Sequence, residues 1–303
     1  MASRRASTRN VFIEFSHAPG EIKGGLSAAP TLTTRQFLDM IYLVFHASGG
    51  FETRLYRSTA PVVPSDQPLE HGRYILTPSV PDTEMQVSHK CYHPRTLSLS
   101  NTARNASFAQ QVRARDGRCV ITGQINRTAE HDIWVGFDAA HIFPLALDSI
   151  FASQGFQHVV THNDPLGVNS LQNGLLLDSA IHHLWDWYSL AVNPNDGYKV
   201  VSFQPHTWDL HGRILDPVCR QPGDPTHVLD ALLQWHYEQA VLCNVRGEGE
   251  AAFEFDFPEG SDMMGQIQEE PQGAERMEAE LFNRLWGHYE SPSLTGPSQD
   301  AAS

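Results

Sequence analysis

The 303-residue chain has no run of about 18 or more apolar residues, so no membrane-spanning helix is expected. Residues 1–10 are rich in Arg and Ser, and the apolar run after them is too short for the core of a secretory leader. An intracellular protein, nuclear or cytoplasmic, is the expectation. Cysteine is scarce: Cys91, Cys119, Cys219 and Cys243 lie far apart and form no C-x-x-C pair. That spacing argues against a disulfide framework and against a zinc site built from all four thiols. Positive charge is also scarce, with 21 Lys and Arg against 35 Asp and Glu, a net charge of −14. Such a balance argues against a polyanion binder until its distribution is considered. Residues 248–303 hold 13 acidic residues and 2 arginines, a net −11, which leaves −3 for the first 247. The acidity belongs mainly to the tail.

The residues that are present suit a folded α+β protein, with 41% hydrophobic and 10% aromatic residues. Residues 1–80 read as a small α/β module. Val11, Ile13 and Phe15 suggest a strand. Thr33 with Gln36 forms a capping-box pattern before Phe37, Leu38, Ile41, Val44 and Phe45 at helical spacing. Residues 52–57 and 73–77 are further strand candidates. One helix among short strands suggests a β-grasp-like unit whose role is interaction or scaffolding. Residues 81–105 are polar and suit a linker. Residues 106–246 hold the chemistry and end in a helix expected from Asp224 and Pro225, with Val228, Leu229, Leu232, Leu233, Trp235, Ala240 and Val241 on its apolar face. Residues 247–303, rich in Gly, Glu, Pro and Ser, read as a mostly disordered acidic tail. A helix over 274–289 is expected within it.

Three pieces of the central region matter. A helix capped by Ser107 leads to a turn at Gly117 and a strand over 119–121, closed by Thr122 and Gly123. A second strand ends at His141 and is stopped by Pro144. A turn at Asn173 and Gly174 then precedes a helix from about Asp178. His182 and Asp186, four residues apart, share one helix face.

These pieces carry the patterns C-x-x-T-G at Cys119, A-A-H-I-x-P ending at Pro144, and N-G-L-x-L-x-x-x-I-H-x-L-[FW]-D from Asn173 to Asp186. In that order they resemble the HNH nuclease family over roughly residues 106–205, and Trp235 to Gly247 resembles the segment after this domain in fungal HNH proteins. The resemblance implies a ββα-metal fold and metal-dependent hydrolysis of nucleic-acid phosphodiesters, with DNA favoured over RNA. It implies His141 as general base, oriented by Asn173, and one divalent cation (Mg²⁺, Mn²⁺, Ni²⁺ or Zn²⁺) on His182 and Asp186. Imidazole and carboxylate donors suit any of these ions. Many family members carry a further ligand where this chain has Ala140, and Asp138, two residues earlier, is the candidate replacement. Arg113, Arg115 and Arg118, with Arg104 and Arg127 nearby, are the expected phosphate contacts. Asn169 is the alternative to Asn173, His183 is expected to face substrate or solvent, and His158 and His162 an exposed loop. A partner protein on the N-terminal module or the tail is a further expectation. The rival reading is an inactive HNH scaffold that binds nucleic acid or protein. Ala140 and the acidity favour it, and the intact His141, Asn173, His182 and Asp186 oppose it.

Overall fold

The structure is a computed structural model that describes residues 3–90, 92–93, 95, 103–161, 167–252, 256–257, 259–268 and 277, without side chains for 103–105. It is a mixed α+β protein in two units, residues 1–261 and 262–303. The expected helix over 274–289 and His162 lie outside the described residues, apart from Met277. In the second unit the described helix is Met263–Gln268.

The first unit opens with a short helix α1 (Arg4–Ser7), then a hairpin of β1 (Val11–Phe15) and β2 (Ala18–Leu26). Helix α2 (Thr34–Val44) comes next, with both hydrogen bonds of the Thr33–Gln36 capping box in place. Strands β3 (Phe45–His46), β4 (Phe51–Leu55), β5 (Gly72–Pro78) and β6 (Gln86–Val87) complete the N-terminal part. The main sheet has the order β2-β1-β5-β4, with β1 parallel to β5 at its centre and antiparallel pairs outside. Strand β2 escapes a propensity reading because Pro19, Gly20, Gly24 and Gly25 are poor strand formers. It survives as an edge strand with register shifts opposite Glu14.

The central part holds α3 (Ala103–Asp116), β7 (Phe137–His141), α4 (Asp148–Ser153), β8 (Gly174–Asp178), α5 (Ser179–Asp186), β9 (Leu190–Asn193), β10 (Lys199–Ser202) and α6 (Asp230–Val245). Several expectations change here. Helix α3 starts before Ser107, which sits inside it and accepts a bond from Gln111 instead of capping. Residues 119–121 form no ladder: Val120 N–H donates to Leu176 while its carbonyl accepts from Asp216, two different neighbours. The strand partner of β7 is β8, in the stretch read as a turn. Leu175, Leu176 and Leu177 are all fully buried there, which an apolar strand covered on both faces achieves. The closing helix begins at Asp230, because Asp224 spends its carboxylate on a local turn at Thr226.

Helix α6 is buried on nearly all sides and separates two cores. Tyr237, Val241 and Val245 pack with the N-terminal sheet and α2, while Leu232, Leu233 and Trp235 pack with β7, β8 and α5. The described part of 81–105 lies on this body and is not a loose connector. Ser88 N–H bonds Val44, His93 N–H bonds Gln239 of α6, and the Tyr188 hydroxyl bonds the His93 carbonyl. Residues beyond 246 also join the first unit. Asp256, 1% exposed, ion-pairs with buried Arg5, and Arg5 also donates to Asn244 of α6. Cys119, Cys219 and Cys243 are buried, and no disulfide joins them among the described residues. No helix among the described residues is long and apolar enough to cross a membrane.

Candidate active site

The β7–β8 ribbon and α5 set the site. In their antiparallel register His141 faces Gly174, and Asp138 faces Leu177. Gly174 lacks a side chain where a Cβ would sit 2.7 Å from Cζ of Phe108 and 2.6 Å from Val112. That vacancy admits the Phe108 ring, which stacks on the His141 imidazole with centroids 4.0 Å apart and planes 7° apart. The His141 Nε2 lies 3.2 Å from Asn169 Oδ1. An amide oxygen accepts only, so Nε2 carries the proton and Nδ1 is the lone pair. Burial, chiefly, lowers the His141 pKa to about 3, with Arg95 and His182 adding positive charge nearby, so the ring is neutral at neutral pH.

Asn173 has a different task from the one expected. It is fully buried, accepts from Phe143 N–H at 2.7 Å, and donates to the carbonyls of Phe143 at 2.9 Å and Val168 at 2.7 Å. Its amide clamps the chain after β7 to the loop before β8, and the group on the His141 ring is Asn169. The two asparagines are four residues apart in one loop, and only the path of that loop decides which side chain reaches the ring.

Helix α5 is capped by Asp178, whose carboxylate accepts from Ala180 N–H. Its inner face rests on α6: Trp185 stacks on His236 with centroids 3.6 Å apart, and His236 Nε2 lies 3.2 Å from the Trp185 carbonyl. Burial holds His236 well below the ordinary imidazole pKa. The outer face presents His182 between two carboxylates. Nδ1 lies 3.2 Å from Asp138 Oδ2 of β7, and Nε2 lies 3.3 Å from Asp186 Oδ2. The hydrogen bond from His182 is the main reason the Asp138 pKa falls below the usual carboxylate range. Asp186 is nearly buried, and its other oxygen ion-pairs with Arg95 Nε at 2.8 Å. Arg95 also donates to the carbonyls of Ile142 at 2.6 Å and His141 at 2.5 Å. Sequence reading missed Arg95, since it sits 46 residues from His141 in a segment of no regular pattern.

The donor geometry can be set against a divalent cation. Two ligand atoms with bonds of about 2 Å to one ion lie roughly 3 Å apart. The 3.2 Å between Asp138 Oδ2 and His182 Nδ1 fits that edge. Asp186 does not join it, because it addresses the opposite ring nitrogen. No cluster of three or more His, Cys, Asp or Glu suited to a metal occurs among the described residues.

The arginines divide. Arg115 is 5% exposed, ion-pairs with Asp116, and donates to the carbonyls of Leu171, Gly174 and Thr226. With its donors spent on the protein, it is a structural clamp and not the expected phosphate contact. Arg118 forms a two-point pair with Asp216. Arg113 lies over the Trp134 ring at 5.2 Å, and Arg127 is exposed. His183 is exposed with Nδ1 on the Ser179 carbonyl, and His158 is exposed beside Gln157 at the end of a short 3-10 turn, Phe156–His158, rather than in a loop.

Residues 119–193 match the family model described as HNH endonuclease, and residues 8–81 match the model described as a domain of unknown function, DUF8573. No curated protein and no solved structure matches the chain.

Proposed function

Starting from the HNH endonuclease domain at residues 119–193, we propose that this protein is a divalent-cation-dependent endonuclease acting on DNA rather than RNA. The reading rests on one observation: Asp138 of β7 and His182 of α5 meet at 3.2 Å, on the strand that ends in the neutral, aromatic-stacked His141. In this ββα-metal arrangement His141 is the general base. Asn169 holds Nε2–H, so Nδ1 takes the proton from the attacking water. Burial keeps the ring neutral at neutral pH but also makes it a weak base, so the attacking water would need to be acidified by the bound cation. Phe108 fixes the ring plane. Asp138 and His182 hold the cation, and Asp186 backs His182 from the far nitrogen, as outer carboxylates do for metal-bound imidazoles. A bound cation supplies charge neutralisation on the phosphate and the leaving oxygen. Mg²⁺, Mn²⁺, Ni²⁺ and Zn²⁺ are all compatible with one carboxylate and one imidazole. Arg113 and Arg127 are the phosphate contacts that the fold leaves available. The N-terminal sheet, with its parallel central pair and one helix, supports a β-grasp-like docking module for a protein partner.

The test is plasmid nicking with each cation, against EDTA. His141→Ala is expected to lower turnover by about 10²–10⁴-fold without unfolding the protein. Equal nicking by that variant sinks the proposal. A second reading, a scaffold that binds without cutting, draws on Ala140 in the position of a family ligand. It predicts DNA binding with no cation-dependent nicking by the wild type.

A further inference from the structure

Arg95 lies outside both matched regions, between residue 81 and residue 119. It is nevertheless 3% exposed, and a buried guanidinium is costly unless its charge and donors are met. The groups around it all belong to the site, although Asp186 balances its charge as an ion pair without an aligned hydrogen bond at Nε. Nε faces Asp186 at the end of α5, and the two terminal nitrogens hold the carbonyls of His141 and Ile142 at the end of β7. The planar guanidinium grips the end of the base strand by two directional hydrogen bonds and holds α5 through the charge of Asp186, so one side chain ties the two elements together. The segment arrives at that position already anchored, by His93 on Gln239 and by the Tyr188 hydroxyl on His93.

From Arg95 the contacts continue in series. Asp186 presents one oxygen to Arg95 and the other to His182 Nε2, and His182 Nδ1 faces Asp138. An ion held at Nδ1 would face away from Asp186, which contacts the opposite ring nitrogen. We infer that Asp186 is an outer carboxylate and not a ligand, and that Arg95 is a positioning residue that aims His182 through Asp186. This inference rests on the proposed cation-dependent reaction and refines it. Arg95 touches no substrate in this scheme; it works on the cation pair and the base strand.

Calorimetric titration of Mn²⁺ into the full chain, with nicking kinetics and melting curves alongside, tests it. Asp138→Asn is expected to abolish Mn²⁺ binding. Arg95→Lys and Asp186→Asn are each expected to weaken it by roughly 10–100-fold, the usual effect of losing an outer partner. Both are expected to lower kcat while leaving KM for DNA unchanged. The double variant is expected to be no weaker than the worse single one, because the two residues act in series. Asp186→Asn is close to isosteric and keeps the test if Arg95→Lys melts. Loss of Mn²⁺ binding in Asp186→Asn as complete as in Asp138→Asn makes Asp186 a ligand and overturns the inference. Wild-type affinity and turnover in Arg95→Lys, or additive losses in the double variant, overturn it as well. In those cases a wild type that binds Mn²⁺ and nicks DNA leaves the proposed function standing. A wild type that does neither removes both.

Discussion

Replacing Asn173 with alanine strips three hydrogen bonds from a fully buried position. The Phe143 N–H and the carbonyls of Phe143 and Val168 lose their amide partner. A buried group left unsatisfied costs about 1–3 kcal/mol, and carbonyls relax more readily than an N–H, so the sum is roughly 3–5 kcal/mol. Domains are stable by only about 5–15 kcal/mol, so this is a large share. With a urea dependence of about 2–3 kcal/mol per molar, the midpoint falls by about 1–2.5 M. Urea denaturation followed by tryptophan fluorescence measures it. Asn169→Ala provides the contrast, with a smaller loss of stability and a clear loss of nicking, because Asn169 holds the His141 ring. Wild-type stability in Asn173→Ala, with activity gone, refutes this assignment and restores Asn173 as the residue that orients His141.

Gly174→Ala drives a methyl into Phe108 and Val112, with a cost of about 1–3 kcal/mol from overpacking and a drop in turnover as Phe108 leaves His141. Melting temperature and nicking rate should fall together; an unchanged rate contradicts the stacking role. Acid should destabilise the protein. His141 and His236 have folded pKa values below the unfolded value of about 6.5, so stability is full above that pH and is lost as pH falls below it, continuing towards about 3 for His141. Urea midpoints between pH 7 and pH 4 should show the fall, and His236→Phe, which keeps the stack on Trp185, should flatten it. Arg113→Ala should reduce the salt dependence of DNA binding by about one phosphate contact. Arg115→Ala should lower stability and leave that slope unchanged, and a changed slope would return Arg115 to the DNA interface.

Local signals are legible where local forces decide. The capping box at Thr33 and Gln36, the strand Val11–Phe15 and the i, i+4 pair of His182 and Asp186 depend on neighbours in sequence. The order of the motifs is enough to mark the HNH domain without any geometry. The features that escape depend on distant partners. Asn173 and Gly174 resemble a hairpin turn, yet Gly174 begins β8 because β7 is there to pair with it. Arg115 and Arg118 sit where phosphate contacts are expected, but Asp116 and Asp216 hold them in the fold. Arg95 carries no pattern at all. Its role comes from carbonyls 46 and 47 residues away.

Helix α6 completes two cores from one end of the first unit. The N-terminal sheet waits for Tyr237, Val241 and Val245, and the site region waits for Leu232, Leu233 and Trp235. Neither half can mature while the ribosome is still making the other. A nascent chain short of residue 245 lacks the wall that both halves lean on, so the candidate site is complete only once α6 has been made.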